Sequence, residues 1–268
     1  MMHLDLIYTV LAVVSYMTAF WYLFMHLMAK RSPSILLFSV LLALGIELHA
    51  LVLYHDMITP AGIYYDVFNM LSFTSALMLL LSLAFSCYRP VLALNLLGIP
   101  VAVAGLLIGF IFTVPNQVIE QHSLGLDVHI ILSLSAYAVL LMATIHAILL
   151  WLQNRELKKK QKRLWVNLLP SVQAMESLLF DFIVIGFVTL TSALTVGFLT
   201  VENFLGQHLA HKTFFSLLSW LVYGVLLWGH FKLGWRGQKA IRFTLIGFAL
   251  LALGFIGSKF VLEMILGR

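Results

Sequence analysis

Eight stretches of this chain are apolar over a length close to that of a bilayer core: 6–29, 34–54, 66–87, 91–114, 128–152, 177–200, 214–231 and 240–265. A membrane-spanning helix needs about 20 such residues. In hydrocarbon every backbone N–H and C=O must be satisfied within the segment, and the helix does this. The expected fold is all-α: a polytopic membrane helix bundle of about eight transmembrane helices, forming a single domain over 1–268. Charged residues are 10% of the chain, against about 25% in an average soluble domain. Hydrophobic residues are 62%. That balance excludes a soluble enzyme and a nucleic-acid reader, and the net charge of +5 reads as loop charge that sets orientation. The fourth stretch carries Pro100 between Gly98 and Gly105, residues that kink a helix or let it pack closely.

The basic residues test the topology independently. With the N-terminus outside, the inner loops hold Lys30 and Arg31, Arg89, the run Arg155, Lys158, Lys159, Lys160, Lys162 and Arg163, and then Lys232, Arg236, Lys239 and Arg242. That is thirteen of the sixteen Lys and Arg; Lys212, Lys259 and Arg268 are left outside. Such a bias is the positive-inside pattern, and an even number of spans puts both termini outside. The apolar run after Met1-Met2-His3-Leu4-Asp5 lacks a basic leader and reads as a spanning helix. Segment 153–176 reads as an extension of the fifth helix followed by a surface-lying piece on anionic lipid. The single cysteine, Cys87, leaves no intramolecular disulfide and falls near the inner face.

This topology sorts the ten histidines. His3, His49, His55, His122, His129, His208 and His211 fall at or near the outer face. His26 and His230 fall near the inner face, and His146 in the inner half of the fifth helix. Neutral imidazole can ligate iron or another metal, and no HExxH, CxxCH or Walker motif offers a competing chemistry. His129 is the leading candidate ligand. Asp127 can cap the helix start, and Ser133 and Tyr137 follow at i+4 and i+8, so a polar stripe runs down one face. That stripe belongs against the bundle or a cofactor; the plain alternative is a helix-start histidine bonded to a neighbour. Gly125 is expected to break any helix between His122 and His129. His208 and His211, at i and i+3 before the seventh helix, are metal-ligand candidates with His129 if helices five and seven are neighbours, or else two interfacial histidines. Trp220 and Tyr223 could flank a flat ligand, or belong to an aromatic belt. Glu47 and Asp181 are the carboxylates expected below the headgroups, where such groups mark ion paths or buried partners.

The stretch from His211 to Gly237 reads HKTFFSLLSWLVYGVLLWGHFKLGWRG. It resembles the end of membrane cytochrome c assembly proteins of the CcsA type, where a WDPKE-type motif leads to a TWxxYAxYLHxR helix and then GWRG. Leu169-Pro170-Ser171 through Gly186-Phe187, His129 with Tyr137 eight residues on, and the tail GFALLALGFIGSKFVLE extend the resemblance over about residues 65–262. It is nearest the HemX-like branch. The resemblance implies a multi-pass protein of the bacterial inner (plasma) membrane that holds heme and presents it outward. Its partners would be lipids, heme and other cytochrome maturation proteins. By position His129 matches the first outward heme-ligand histidine, and Lys212 matches the Lys of the tryptophan-rich motif. His211 stands where that motif has Pro, Leu209 and Ala210 where it has Trp and Asp, Trp228 where the intramembrane histidine stands, and His230 in place of Arg. The earlier GHxP histidine position falls near Ala61, and the second outward histidine has no counterpart.

Three functional readings follow, the last two as alternatives to the first. One is a non-enzymatic heme-binding assembly factor, with His129 and His211 or His208 as iron ligands and Tyr137 and Trp220 beside the porphyrin. Another is a transporter or transport accessory for metal ions or small solutes built on Glu47, Asp181 and the outer histidines, and the third a regulatory scaffold that kept the fold without the ligands.

Overall fold

A computed structural model describes residues 2–29, 31–59, 62–63, 66–86, 92–112, 124–159, 169–200 and 207–254, with backbone alone at 2–3, 59, 62–63, 93 and 207–211. Cys87, His122 and the basic run 160–163 lie outside the described residues. The eight expected helices are present: α1 (Met2–Met28), α2 (Ile35–Met57), α3 (Val67–Ser86), α4 (Asn95–Ile111), α5 (Leu124–Lys158), α6 (Val172–Thr200), α7 (Gln207–Leu233) and α8 (Gln238–Ala252). Six of them are long and apolar enough to cross a membrane, and α4 is a shorter apolar helix. One 3-10 turn, Leu92–Leu94, leads into α4, and a two-residue antiparallel pairing places Ile58 opposite Ile63. The protein is a polytopic, all-helical membrane protein.

Helices α5, α6 and α7 begin earlier than hydropathy predicts. A helix keeps its hydrogen bonds satisfied as it enters the headgroup layer, so its ends carry polar residues that an apolar count discards. Two local expectations change as a result. Gly125 lies inside α5 rather than breaking it, and Thr200 of α6 packs where a Gly125 Cβ would stand. Asp127 falls within the first turn of α5, where a carboxylate faces the positive end of the helix dipole.

The chain divides into two compact units, 1–120 with 155–170, and 121–154 with 171–268. In the first, α1 packs on α2 and α4, and α3 on α2 and α4, an up-and-down ring of four helices. Ser34 caps α2, its hydroxyl accepting from the Leu37 N–H. Tyr16 of α1 lies against Gly45 of α2, where any Cβ would stand 2.6 Å from the ring. On α4 the buried small residues Gly98, Ala102, Gly105 and Gly109 recur at 4, 3 and 4 positions. Ser72, Ser75 and Leu79 of α3 fill the space beside the three glycines. Small residues let helix backbones approach where lipid supplies no hydrophobic drive between helices. Pro100 sits within α4 on its exposed side.

The second unit is built likewise. Gly186, Leu190, Ala193 and Gly197 of α6 are buried at the same 4, 3 and 4 spacing. Leu140 and His129 of α5 occupy the space at Gly186 and Gly197. Ser219 of α7 donates to the Gly247 carbonyl of α8 (2.7 Å). Fully buried Tyr223 donates to the Thr244 carbonyl (3.3 Å), lies against Gly247 and meets the Thr144 hydroxyl of α5. Tyr223 of α7 thus meets α5 at Thr144, fifteen residues along that helix from His129.

Candidate functional site

His129 projects from the second turn of α5 onto α6. Its Nδ1–H donates to the Ala193 carbonyl (2.8 Å), since a carbonyl can only accept. That bond fixes the neutral tautomer and leaves the lone pair on Nε2. The Cε1–Nδ1 side of the ring lies against Gly197, where a Cβ would stand 2.5 Å from Cε1. The side chain is half-buried, so the imidazole is oriented without being sealed in. A histidine whose second nitrogen is held by a backbone carbonyl is the arrangement metal-binding imidazoles adopt.

The other expected site residues distribute around it. Lys212, early in α7, lies within electrostatic reach of His129. The backbones of His208 and His211 lie within the first five residues of α7, and their side chains lie outside the described residues. Trp220 donates its indole N–H to the Thr191 hydroxyl (2.8 Å) and stacks on Phe187 at 5.5 Å. Thr191 and Ala193 point about 200° apart around α6, so Trp220 and His129 grip the same level of that helix from two sides. Tyr137, two turns along α5, is buried with its ring 5.1 Å from Phe248 of α8.

The remaining described histidines are committed elsewhere. Completely buried His49 bridges the Tyr16 hydroxyl (Nδ1, 3.2 Å) and the Ser72 hydroxyl (Nε2, 2.8 Å), joining α1, α2 and α3. His55 pairs with Asp5 at 2.7 Å. His146 is also fully buried, its Nε2–H donated to the Met175 carbonyl (2.7 Å). Glu47 is on the exposed side of α2, and Asp181 is half-buried on α6. The roles of Ala193 and Gly197 as the cradle of His129 were not anticipated from sequence. The small residues Gly186, Ala193 and Gly197, seven and four positions apart on α6, were the available signal.

The fold defines a multi-pass membrane helix bundle with a carbonyl-oriented histidine at one end of its second unit. The chain belongs to the cytochrome c assembly protein family, whose sequence profile matches residues 1–266. It is 35% identical over 153 residues, 56% of this chain, to the inner membrane protein YpjD of Escherichia coli. It is 34% identical over 157 residues, 57% of this chain, to an uncharacterized 28.8 kDa protein of Azospirillum brasilense. Each alignment spans 58% of the relative's length. No solved structure matches the chain.

Proposed function

We propose that this protein is a non-enzymatic heme-handling factor of the bacterial inner membrane that ligates heme iron through Nε2 of His129. The observation that carries the reading is the Nδ1–H bond of His129 to the Ala193 carbonyl, which leaves the ligating nitrogen with its lone pair. Family membership supports heme as the cargo, and the YpjD relatives support the inner membrane. A porphyrin supplies four equatorial nitrogens and asks the protein for one or two axial donors. His211, one residue before Lys212, is the proposed second donor, with His208 one turn before it. Tyr137 and Trp220 stiffen the helices that carry His129 and its carbonyl. With both termini outside, the site opens at the outer face, toward acceptor proteins that mature there, and the 1–268 bundle acts as one transmembrane domain.

The test is the absorption spectrum of the full chain, purified in detergent and titrated with hemin, beside His129→Ala and His211→Ala. A Soret band that weakens or shifts in His129→Ala supports the assignment. A wild-type spectrum indistinguishable from that of His129→Ala overturns it.

A further inference from the structure

At the opposite end of the second unit, a cavity of about 380 Å³ is lined by Gln173, Glu176, Ser177, Phe180, Asp181 and Val184 of α6, His230 and Phe231 of α7, and Arg236. Asp181 lies twelve residues from Ala193 along α6, roughly 18 Å at helical rise, so this is not the His129 site. Its volume is at the small-ligand end of the range for binding pockets.

The walls are built firmly. Gly234 (φ 66°) and Gly237 (φ 58°) turn the chain sharply between α7 and α8, a backbone that only glycine adopts without strain. The Trp235 N–H donates back to the Gly229 carbonyl (3.1 Å), and the Trp235 carbonyl accepts from Nδ1–H of His230 (2.9 Å). The His230 ring stacks on Phe180, centroids 3.5 Å apart. Arg236 follows Trp235 and lines the rim, exposed. Glu176 approaches the same turn, its Oε1 lying 3.5 Å from where a Gly237 Cβ would be. Among the described residues, neither Glu176 nor Arg236 has an ion-pair partner. Two opposite charges thus line one small cavity without neutralising each other.

We propose that this cavity binds a phosphoethanolamine group, its phosphate on Arg236 and its ammonium on Glu176. An anionic group alone would meet the carboxylates of Glu176 and Asp181, and a cation alone would meet the guanidinium. A zwitterion satisfies both. A primary ammonium donates three hydrogen bonds, and Glu176, Ser177 and Gln173 offer oxygen acceptors to receive them; a quaternary ammonium could donate none. The cavity lies at the helix ends, where headgroups reside, and Phe231, 69% exposed, offers an apolar flank for an acyl chain. The group can arrive as a lipid headgroup or as the free phosphoester.

The experiment is native mass spectrometry of the full chain in detergent doped with equal amounts of phosphatidylethanolamine, phosphatidylcholine and phosphatidylglycerol. The expected result is preferential retention of phosphatidylethanolamine, reduced about tenfold, the scale of one charge-assisted contact, in Glu176→Gln and Arg236→Gln. His129→Ala should retain the preference. Adding soluble O-phosphoethanolamine to wild-type protein separates the sources. Displacement of retained lipid places both on one site, and direct binding without lipid preference assigns the free phosphoester. This arm needs no variant to fold. Equal retention of the three lipids with no binding of the phosphoester overturns the proposal, as does a preference unchanged in both variants.

Discussion

His129 and His146 stand on the same helix, and burial separates their chemistry. Both donate one N–H to a carbonyl of α6. His146 is wholly enclosed and serves as packing, with its ring edge-on to Phe182. His129 is only half-buried. Its orientation depends on the missing side chain at Gly197. Gly197→Val should displace the ring and weaken hemin binding beyond the roughly 1–3 kcal/mol that overpacking costs the fold. A hemin titration paired with thermal unfolding in detergent reads both, and unchanged hemin affinity would show that ring placement is immaterial. In the first unit, His49→Leu leaves the Tyr16 and Ser72 hydroxyls without their imidazole. The expected loss is about 1–2 kcal/mol. Because Tyr16 and His49 share one bond, a cycle with Tyr16→Phe should give a double variant less destabilised than the sum of the singles. Additivity would mean that the bond contributes nothing.

At the scale of the elements, the close pairing of α3 with α4 rests on a row of small residues. The α4 row meets Ser72 and Ser75, and the α6 row meets Leu140 and His129. Helix α4 has 17 residues, too few to span comfortably alone, so its contact with α3 governs its placement. Gly105→Leu would drive a side chain into Ser75 and should lower the unfolding temperature and broaden the size-exclusion peak. Pro100→Ala, on the exposed side of the same helix, should stay within about 0.5 kcal/mol of wild type. Equal effects from the two substitutions would show that the glycine row does not hold the pair. On α6 the missing side chain at Gly197 likewise makes room for a functional group, the His129 ring that bonds the Ala193 carbonyl.

For the whole molecule, the testable quantity is orientation. In a Cys87→Ser background, single cysteines replacing Leu4 or Lys212 should react with an impermeant maleimide in intact cells, and those replacing Lys158 or Lys239 only after permeabilisation. The reverse pattern would put the proposed heme site on the inner side. The helices and the class of protein were legible in the sequence because the bilayer reads hydropathy locally: each span is decided by its own twenty or so residues, and each loop charge adds independently. His129 stood out for the same local reason, a polar stripe on an apolar helix. Its committed nitrogen did not, because the acceptor is a carbonyl 64 residues away, and every backbone carries the same carbonyl. Likewise Glu176 and Arg236 are sixty positions apart, and nothing in either neighbourhood announces a shared cavity. Sequence alone determined eight apolar helical segments, the bias of the loop charges and the histidines available. Only the tertiary structure decided which histidine is oriented, which is sealed and which lines a cavity, because those distinctions arise from packing between helices.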